Sequence, residues 1–384
     1  MSAAGVENRR ERRRLQASRR AATRRRRLLA VLAVAAAVGG AALGAGASDG
    51  SGSNLPDLTS QQLAGERVVT GFNGSHPPAT VRQMISSGRI AGVILFADNF
   101  NSVAGARRLV AKLQSIKRPP GLRSPLLVMV DQEGGLVKRL PGPPAGSAEA
   151  MSRRGPHYIH RQGRATGRLL RRARINVDLA PVLDVARPGS AIGAEHRSFG
   201  SHPKAVSRRA NAFATGLASR HVAATAKHFP GLGSASANTD VAVQRIKLPT
   251  SKLRSIDERP YRRFVRGSGA MVMLSTAIYP HLSPLPAALS GRISTGELRH
   301  RLGFKGVSIT DALETTSANA IGGPPRLARL GAMAGTDLLL FSSPSRALAA
   351  SKSLTHGLRK HRYDLAGFHR SARRVLTLRS SLGR

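Results

Sequence analysis

Cysteine and tryptophan are both absent from this chain of 384 residues. Without cysteine there is no disulfide, no thiolate nucleophile and no cysteine-ligated zinc. Aromatic residues make up only 4% of the sequence. No basic motif is interleaved with aromatics, and no nucleic-acid fold signature occurs, so specific nucleic-acid binding is not expected. A G-x-G-x-x-G turn after a first strand is missing, as is a P-loop, which argues against nucleotide binding. Acidic residues are also scarce, 20 against 61 Lys and Arg.

Positive charge and aliphatic bulk are abundant. Hydrophobic residues form 41% of the chain, in runs too long for a wholly disordered protein. The length allows one large domain of roughly 250–300 residues or two ordinary ones. The net charge of +41 favours anionic surroundings such as nucleic acid, acidic lipid or a polyanionic cell wall. It is equally compatible with an Arg-rich solvated surface, because net charge speaks to solubility and association rather than to fold.

Residues 1–27 hold 11 Arg and 2 Glu, a basic head expected to stay in the cytoplasm. Leu28 to Ala47 then runs for 20 residues without a charge, long enough for a membrane helix. Basic flank first and apolar run second predicts export of the remainder of the chain. Ala45-Gly46-Ala47 resembles a cleavage site, so residues 28–47 are a signal peptide or a single transmembrane anchor. A flexible linker is expected over residues 48–58, opening with the Ser/Gly stretch Ser48 to Ser53.

From about residue 60 short apolar runs alternate with amphipathic stretches. The strands expected are Arg67–Gly71, Gly92–Phe96, Pro125–Val130, Asn176–Ala180, Val222–Ala226, Ala270–Ser275, Gly306–Thr310 and Asp337–Phe341. Continuous apolar runs such as Leu126 to Val130 suit strands buried on both faces of a parallel sheet. Val103, Ala106, Leu109, Val110, Leu113 and Ile116 follow helical spacing. Ser294 with Glu297 reads as a capping box opening a helix through Leu298 and Leu302, stopped by Gly303. Met271 and Met273 read as core strand residues. Eight such units predict an α/β fold, a (β/α)8 TIM barrel, with an open doubly wound sheet as its rival. Asp131, Lys227, His228 and Asp311 come just after apolar runs, where barrel strands end and active sites form.

Five segments then resemble one family in its own order. They are Val130-Asp131-Gln132-Glu133-Gly134-Gly135-Leu136-Val137-Lys138-Arg139; Asn176-Val177-Asp178-Leu179-Ala180-Pro181-Val182-Leu183-Asp184-Val185; Arg197-Ser198-Phe199-Gly200; Lys227-His228-Phe229-Pro230-Gly231; and Gly303-Phe304-Lys305-Gly306 through Asp311. Together they resemble glycoside hydrolase family 3, and its single-barrel bacterial β-N-acetylglucosaminidase branch in particular. The resemblance implies a catalytic barrel over residues 59–345, followed by a basic helical segment, 346–384, that could cover the barrel or face the cell envelope. It implies hydrolysis of terminal β-linked sugars by a retaining mechanism, with Asp311 as nucleophile. A carboxylate nucleophile has to be ionised, which nearby cations favour. By the same resemblance Asp131, Arg139, Arg197, Lys227 and His228 bind the sugar, and no metal or organic cofactor is required. Asp178 and Asp184 read as structural, with Asp184 an alternative partner for Arg197.

One segment departs from the family. The branch carries a further His directly after the Lys-His-Phe-Pro-Gly motif and then an Asp–His dyad in the same loop. Here Leu232 stands at the position of that first His, and Asn238 and Asp240 stand at those of the dyad Asp and His. Asp240 is therefore the expected acid/base, with His202, His281 or Glu314 as alternatives. Loss of the dyad leaves open a β-glucosidase-like specificity or a glycan-binding protein that turns over poorly. The partners expected are a cell-wall glycan or muropeptide and, through the N-terminal segment, a membrane. The chain is expected to act outside the cytoplasm as a monomer.

Overall fold

The computed structural model describes residues 57–267 and 269–383. The basic head and apolar segment expected over residues 1–47 lie outside these, as do residues 48–56 of the linker. No helix among the described residues is long and apolar enough to cross a membrane.

Eight parallel strands form one sheet: β1 (Val68–Thr70), β2 (Gly92–Ile94), β3 (Leu127–Val130), β4 (Val177–Asp178), β5 (Ala223–Phe229), β6 (Met271–Leu274), β7 (Val307–Thr310) and β8 (Leu339–Phe341). Each overlaps one of the apolar runs expected from sequence. Their order around the sheet is β8-β1-β2-β3-β4-β5-β6-β7. The ends then meet. Ile309 bridges Leu338 in parallel, and the Leu338 and Thr310 amides donate to Ser308 O and Leu338 O, each at 2.9 Å. The sheet is thus a nearly closed (β/α)8 barrel.

Alternation along these strands divides the core in two. Val69, Leu127, Met129, Met271, Met273, Val307, Ile309 and Leu340 fill the barrel interior. Their neighbours Val68, Val128, Val130, Val272, Leu274, Leu339 and Phe341 pack outward against helices. A strand covered on both faces has no polar side to show, which is why the runs read as continuously apolar. The ring of helices is α1 (Ala79–Ser86), α2 (Val103–Ser115), α3 (Gly155–Arg172), α4 (Pro203–Ala218), α5 (Arg259–Arg266), α6 (Arg292–Arg301), α7 (Pro324–Met333) and α8 (Pro344–Arg359), each following the strand of the same number. In α2 the Ser102 side chain accepts from the Gly105 amide, and Ala106, Leu109, Val110 and Leu113 are buried.

Helix α6 corrects the capping-box expectation. It begins at Arg292, and no side chain caps it. Ser294 lies inside it, buried, with its hydroxyl 3.1 Å from that of Thr336. Glu297 pairs with Arg254 at 2.6 Å and with Arg301. A buried partner outcompetes the local cap. Gly303 does end the turn, at φ +76°.

Residues 346–384 supply most of α8 and all of a final helix, α9 (Leu365–Leu382). Val375 and Leu382 of α9 join the interior cluster of the barrel. Arg374 holds Asp337, just before β8, at 2.6 Å. Arg379, fully buried, pairs with Glu66 and donates to Ser124 O at 2.7 Å and Pro125 O at 2.9 Å. All of these acceptors precede strands, so α9 seals the N-terminal end of the barrel and leaves the C-terminal end as its mouth.

Candidate active site

The mouth holds a cavity of about 600 Å³. Asp131, Arg139, Arg197, Lys227, His228, Asp240 and Asp311 all line it, although they span 180 positions of sequence. They arrive on separate strand ends: Asp131 after β3, Arg197 on the long β4–α4 connection, Lys227 and His228 in β5, Asp311 after β7. Lys227 and His228 do not follow β5, as the sequence suggested, but belong to it. The strand continues to Phe229, and its register against β6 shifts between Ala226 and Phe229. Such an irregularity re-aims side chains, and here two successive residues reach the same cavity.

A dense ion network supports its wall: Asp131, Arg139, Glu195, Arg197 and Lys227 line the cavity, and Glu133 is buried outside the lining. The Lys227 ammonium lies 2.6 Å from Asp131 and 2.7 Å from Glu133. Arg197 grips Glu133 through two bonds of 2.8 and 2.9 Å and reaches Glu195 at 3.0 Å. Arg139 stands 3.6 Å from Asp131. Three acids therefore face three bases. Burial opposes the charge of Glu133, but Lys227 and Arg197 outweigh it and hold its carboxyl well below the usual carboxylate range. Burial likewise disfavours the Lys227 ammonium, and Asp131 with Glu133 more than restores it, so its pKa is raised. With two N–H groups committed to acids, Lys227 retains a third for a ligand.

Glu133 escaped the sequence reading of site residues, although it stands inside the first motif. Gln132 beside it is another such group. Its side chain accepts from the Arg139 and Leu140 amides at 3.0 Å and donates to Leu140 O and Pro143 O at 2.9 Å. That ties down the ribbon of Gln132–Gly134 and Val137–Lys138 and so places Arg139. Buried Asp178 accepts from the Gln132 amide at 3.0 Å. Arg197 does not pair with Asp184. Asp184 instead accepts from His228 Nδ1 at 2.7 Å and from the Leu232 amide at 2.7 Å. With Nδ1 so engaged, Nε2 is the imidazole nitrogen left for a ligand.

Asp311 and Asp240 complete the wall. Asp311 is fastened at its amide to Leu274 O (2.8 Å), while its Oδ1 accepts from the Ala312 amide at 2.8 Å. Asp240 lies within the long loop that follows β5. Gly233 presses on the β4–α4 connection so closely that a Cβ there would meet Val185 O at 1.9 Å. The Thr316 hydroxyl donates to Asp240 O at 2.8 Å. Asp240 is open to solvent on one side. Desolvation raises its carboxyl above the usual Asp value, and the Asp311 charge adds to that, against the pull of His228 and Arg197. Glu314 also lines the cavity, but its oxygens accept from the Ser342 and Ser343 amides at 3.0 and 3.3 Å. His202 and His281 do not line it. Among the described residues no group of three or more His, Asp or Glu is placed to hold a metal ion.

A barrel whose mouth gathers carboxylates among hydrogen-bonding cations holds the groups that glycoside hydrolysis uses. The family model described as "Glycosyl hydrolase family 3 N terminal domain" matches residues 57–378. The chain belongs to that family and is a glycoside hydrolase of the β-hexosaminidase-like kind. It is 37% identical over 329 residues to a protein of Arthroderma benhamiae named an uncharacterized secreted glycosyl hydrolase, covering 83% of this chain and 93% of that one. It is 33% identical over 294 residues to a β-hexosaminidase of Alkalilimnicola ehrlichii, covering 74% and 82%. The crystal structure of β-N-acetylhexosaminidase from Beutenbergia cavernae superposes with a TM-score of 0.79 at 30% identity, over 85% of this chain and 99% of that one.

Proposed function

We propose that this protein is an exported retaining β-N-acetylhexosaminidase that releases terminal sugars from cell-wall fragments. Asp311 attacks the anomeric carbon. Asp240 gives its proton to the departing glycosidic oxygen. Water then attacks the glycosyl ester, returning a proton to Asp240 and freeing Asp311. Asp131, Arg139, Arg197, Lys227 and His228 hold the hydroxyl and acetamido groups of the sugar. The observation that carries this reading is that Asp240 and Asp311 line one cavity. Desolvation raises the Asp240 carboxyl and the Asp311 charge adds to that, which suits Asp240 to giving a proton. Asp240 thereby replaces the absent Asp–His dyad. Export rests on the N-terminal basic and apolar segments and on the name of the secreted fungal relative.

The test uses aryl and methyl glycosides of N-acetylglucosamine, beside the β-glucosides. Asp311→Asn should abolish turnover of all of them. Asp240→Asn should cost about 10²–10⁴-fold on the methyl glycoside, and far less on the 4-nitrophenyl one, whose leaving group needs little protonation. Equal losses on both would remove Asp240 from the acid/base role. Preference for the glucoside would overturn the hexosaminidase assignment.

A further inference from the structure

Helix α3 carries Arg164, Arg168, Arg171 and Arg172 along one stripe, at helical spacing. Like charges so placed repel one another. The end of a helix favours cations in its last turn, which accounts for Arg171 and Arg172. It does not account for Arg168, nor for a further arginine, Arg220, brought to the same place by the chain that leaves α4.

Close helix packing puts it there. A Cβ on Gly163 would meet Phe213 O at 2.2 Å, and one on Gly167 would meet Arg220 Cβ at 2.8 Å. Helices α3 and α4 therefore touch almost backbone to backbone, and the stem of Arg220 lies against α3. Desolvation lowers the Arg220 pKa, and the charges of Arg164 and Arg168 lower it further. Its Nε is buried and meets no acceptor among the described residues. A buried N–H without an acceptor is costly.

Arg168, Arg171, Arg172, Ser219, Arg220 and His221 line a cleft of about 560 Å³ here, and no Asp or Glu lines it. The catalytic mouth is different: Lys227 there meets Asp131, and Arg197 meets Glu133. Arg171 and Arg172 end α3 ahead of β4, and Ser219 to His221 precede β5. The cleft thus stands at the N-terminal end of the strands, away from the mouth.

We propose that this cleft binds an anion with two or more closely spaced phosphate groups. A guanidinium presents a planar fork that meets phosphate oxygens two at a time. Four such forks line the cleft, and a single phosphate cannot offset them all. A linear phosphate oligomer supplies the charge, whether an inorganic polyphosphate or a phosphodiester chain. Bound at this end, it leaves the catalytic mouth open.

The experiment titrates the full chain by calorimetry at about 0.15 M salt. The ligands are tripolyphosphate, a short glycerol phosphate oligomer and inorganic phosphate. The cleft variants are Arg168→Gln/Arg220→Gln and Arg171→Gln/Arg172→Gln. The control is Arg262→Gln/Arg263→Gln, an equal loss of charge at exposed positions on α5. At least one oligomer should bind about tenfold or more tighter than inorganic phosphate, and the tighter one identifies the source. Each cleft variant should lose about tenfold or more of that affinity, and the control less than about threefold. Without ligand, thermal unfolding of Arg168→Gln/Arg220→Gln should come no lower than in the wild type, because repulsion is relieved. If that variant does not fold, Arg171→Gln/Arg172→Gln carries the test alone. Oligomers that bind no better than inorganic phosphate overturn the proposal. So do equal losses in the cleft variants and the control, which would leave only diffuse attraction to a chain of charge +41. Binding that tracks inhibition of sugar release would place the anion in the mouth and also overturn it.

Discussion

Glu133→Gln is the perturbation most directly worked from the structure. The carboxylate is 4% exposed and receives three charged contacts, at 2.7 Å from Lys227 and at 2.8 and 2.9 Å from Arg197. Gln keeps the shape but replaces one oxygen by an N–H donor aimed at cations. Lys227 is left with Asp131, and Arg197 with Glu195. Removing one member of a buried pair typically costs about 3–5 kcal/mol, because the surviving charge stays desolvated. The pH dependence has a definite sign. The native carboxyl lies well below its unfolded value, so its contribution is present above about pH 4.3 and is lost as pH falls through the native value. Urea unfolding of both proteins from neutral to acidic pH should show a large gap at neutral pH that narrows on acidification. A difference below about 1 kcal/mol at neutral pH, or one independent of pH, would show that the network is solvated and would refute the argument.

Three further outcomes are expected. Asp311→Asn should lower the Asp240 pKa, since the Asp311 charge is among the causes that raise it; carboxyl NMR titration reads this, and an unchanged value would mean that the two groups do not sense one another. Arg187 grips buried Asp257 at 2.6 and 2.8 Å, and Gly231 packs on Asp257, so Arg187→Met should destabilise by about 3–5 kcal/mol and lower kcat more than it changes KM by releasing the Asp240 loop. Normal kcat in a folded Arg187→Met protein would confine the pair to stability. Arg379→Met leaves Glu66 as an unpaired charge in a site where both side chains are 0% exposed; thermal unfolding should show a loss of about 3–5 kcal/mol, largely recovered in Glu66→Leu/Arg379→Met.

The readable part of the fold was the part with short-range signatures. Runs such as Leu126 to Val130 announced strands buried on both faces, and Ala106, Leu109, Val110 and Leu113 announced the buried stripe of α2. The exceptions are informative. Ser294 and Glu297 carried a local capping pattern, yet Arg254 and Thr336 claimed their polar groups. Lys227 and His228 looked like loop residues because they are polar, whereas β5 continues through them. Their acid partners lie far away in sequence, at Asp131, Glu133 and Asp184.

Local sequence was enough to set the alternation of strand and helix and the identity of the polar groups at strand ends. Hydrophobic runs and motif spacing are local, and a barrel places every strand end on one rim. The pairings emerged only from tertiary packing: Arg197 with Glu133 and not Asp184, His228 with Asp184, and α9 across the N-terminal end of the barrel. Chain positions 64 apart, as in Arg197 and Glu133, leave no periodic trace in a sequence. Which charge meets which is settled by barrel closure, and by the cost of leaving any of them buried alone.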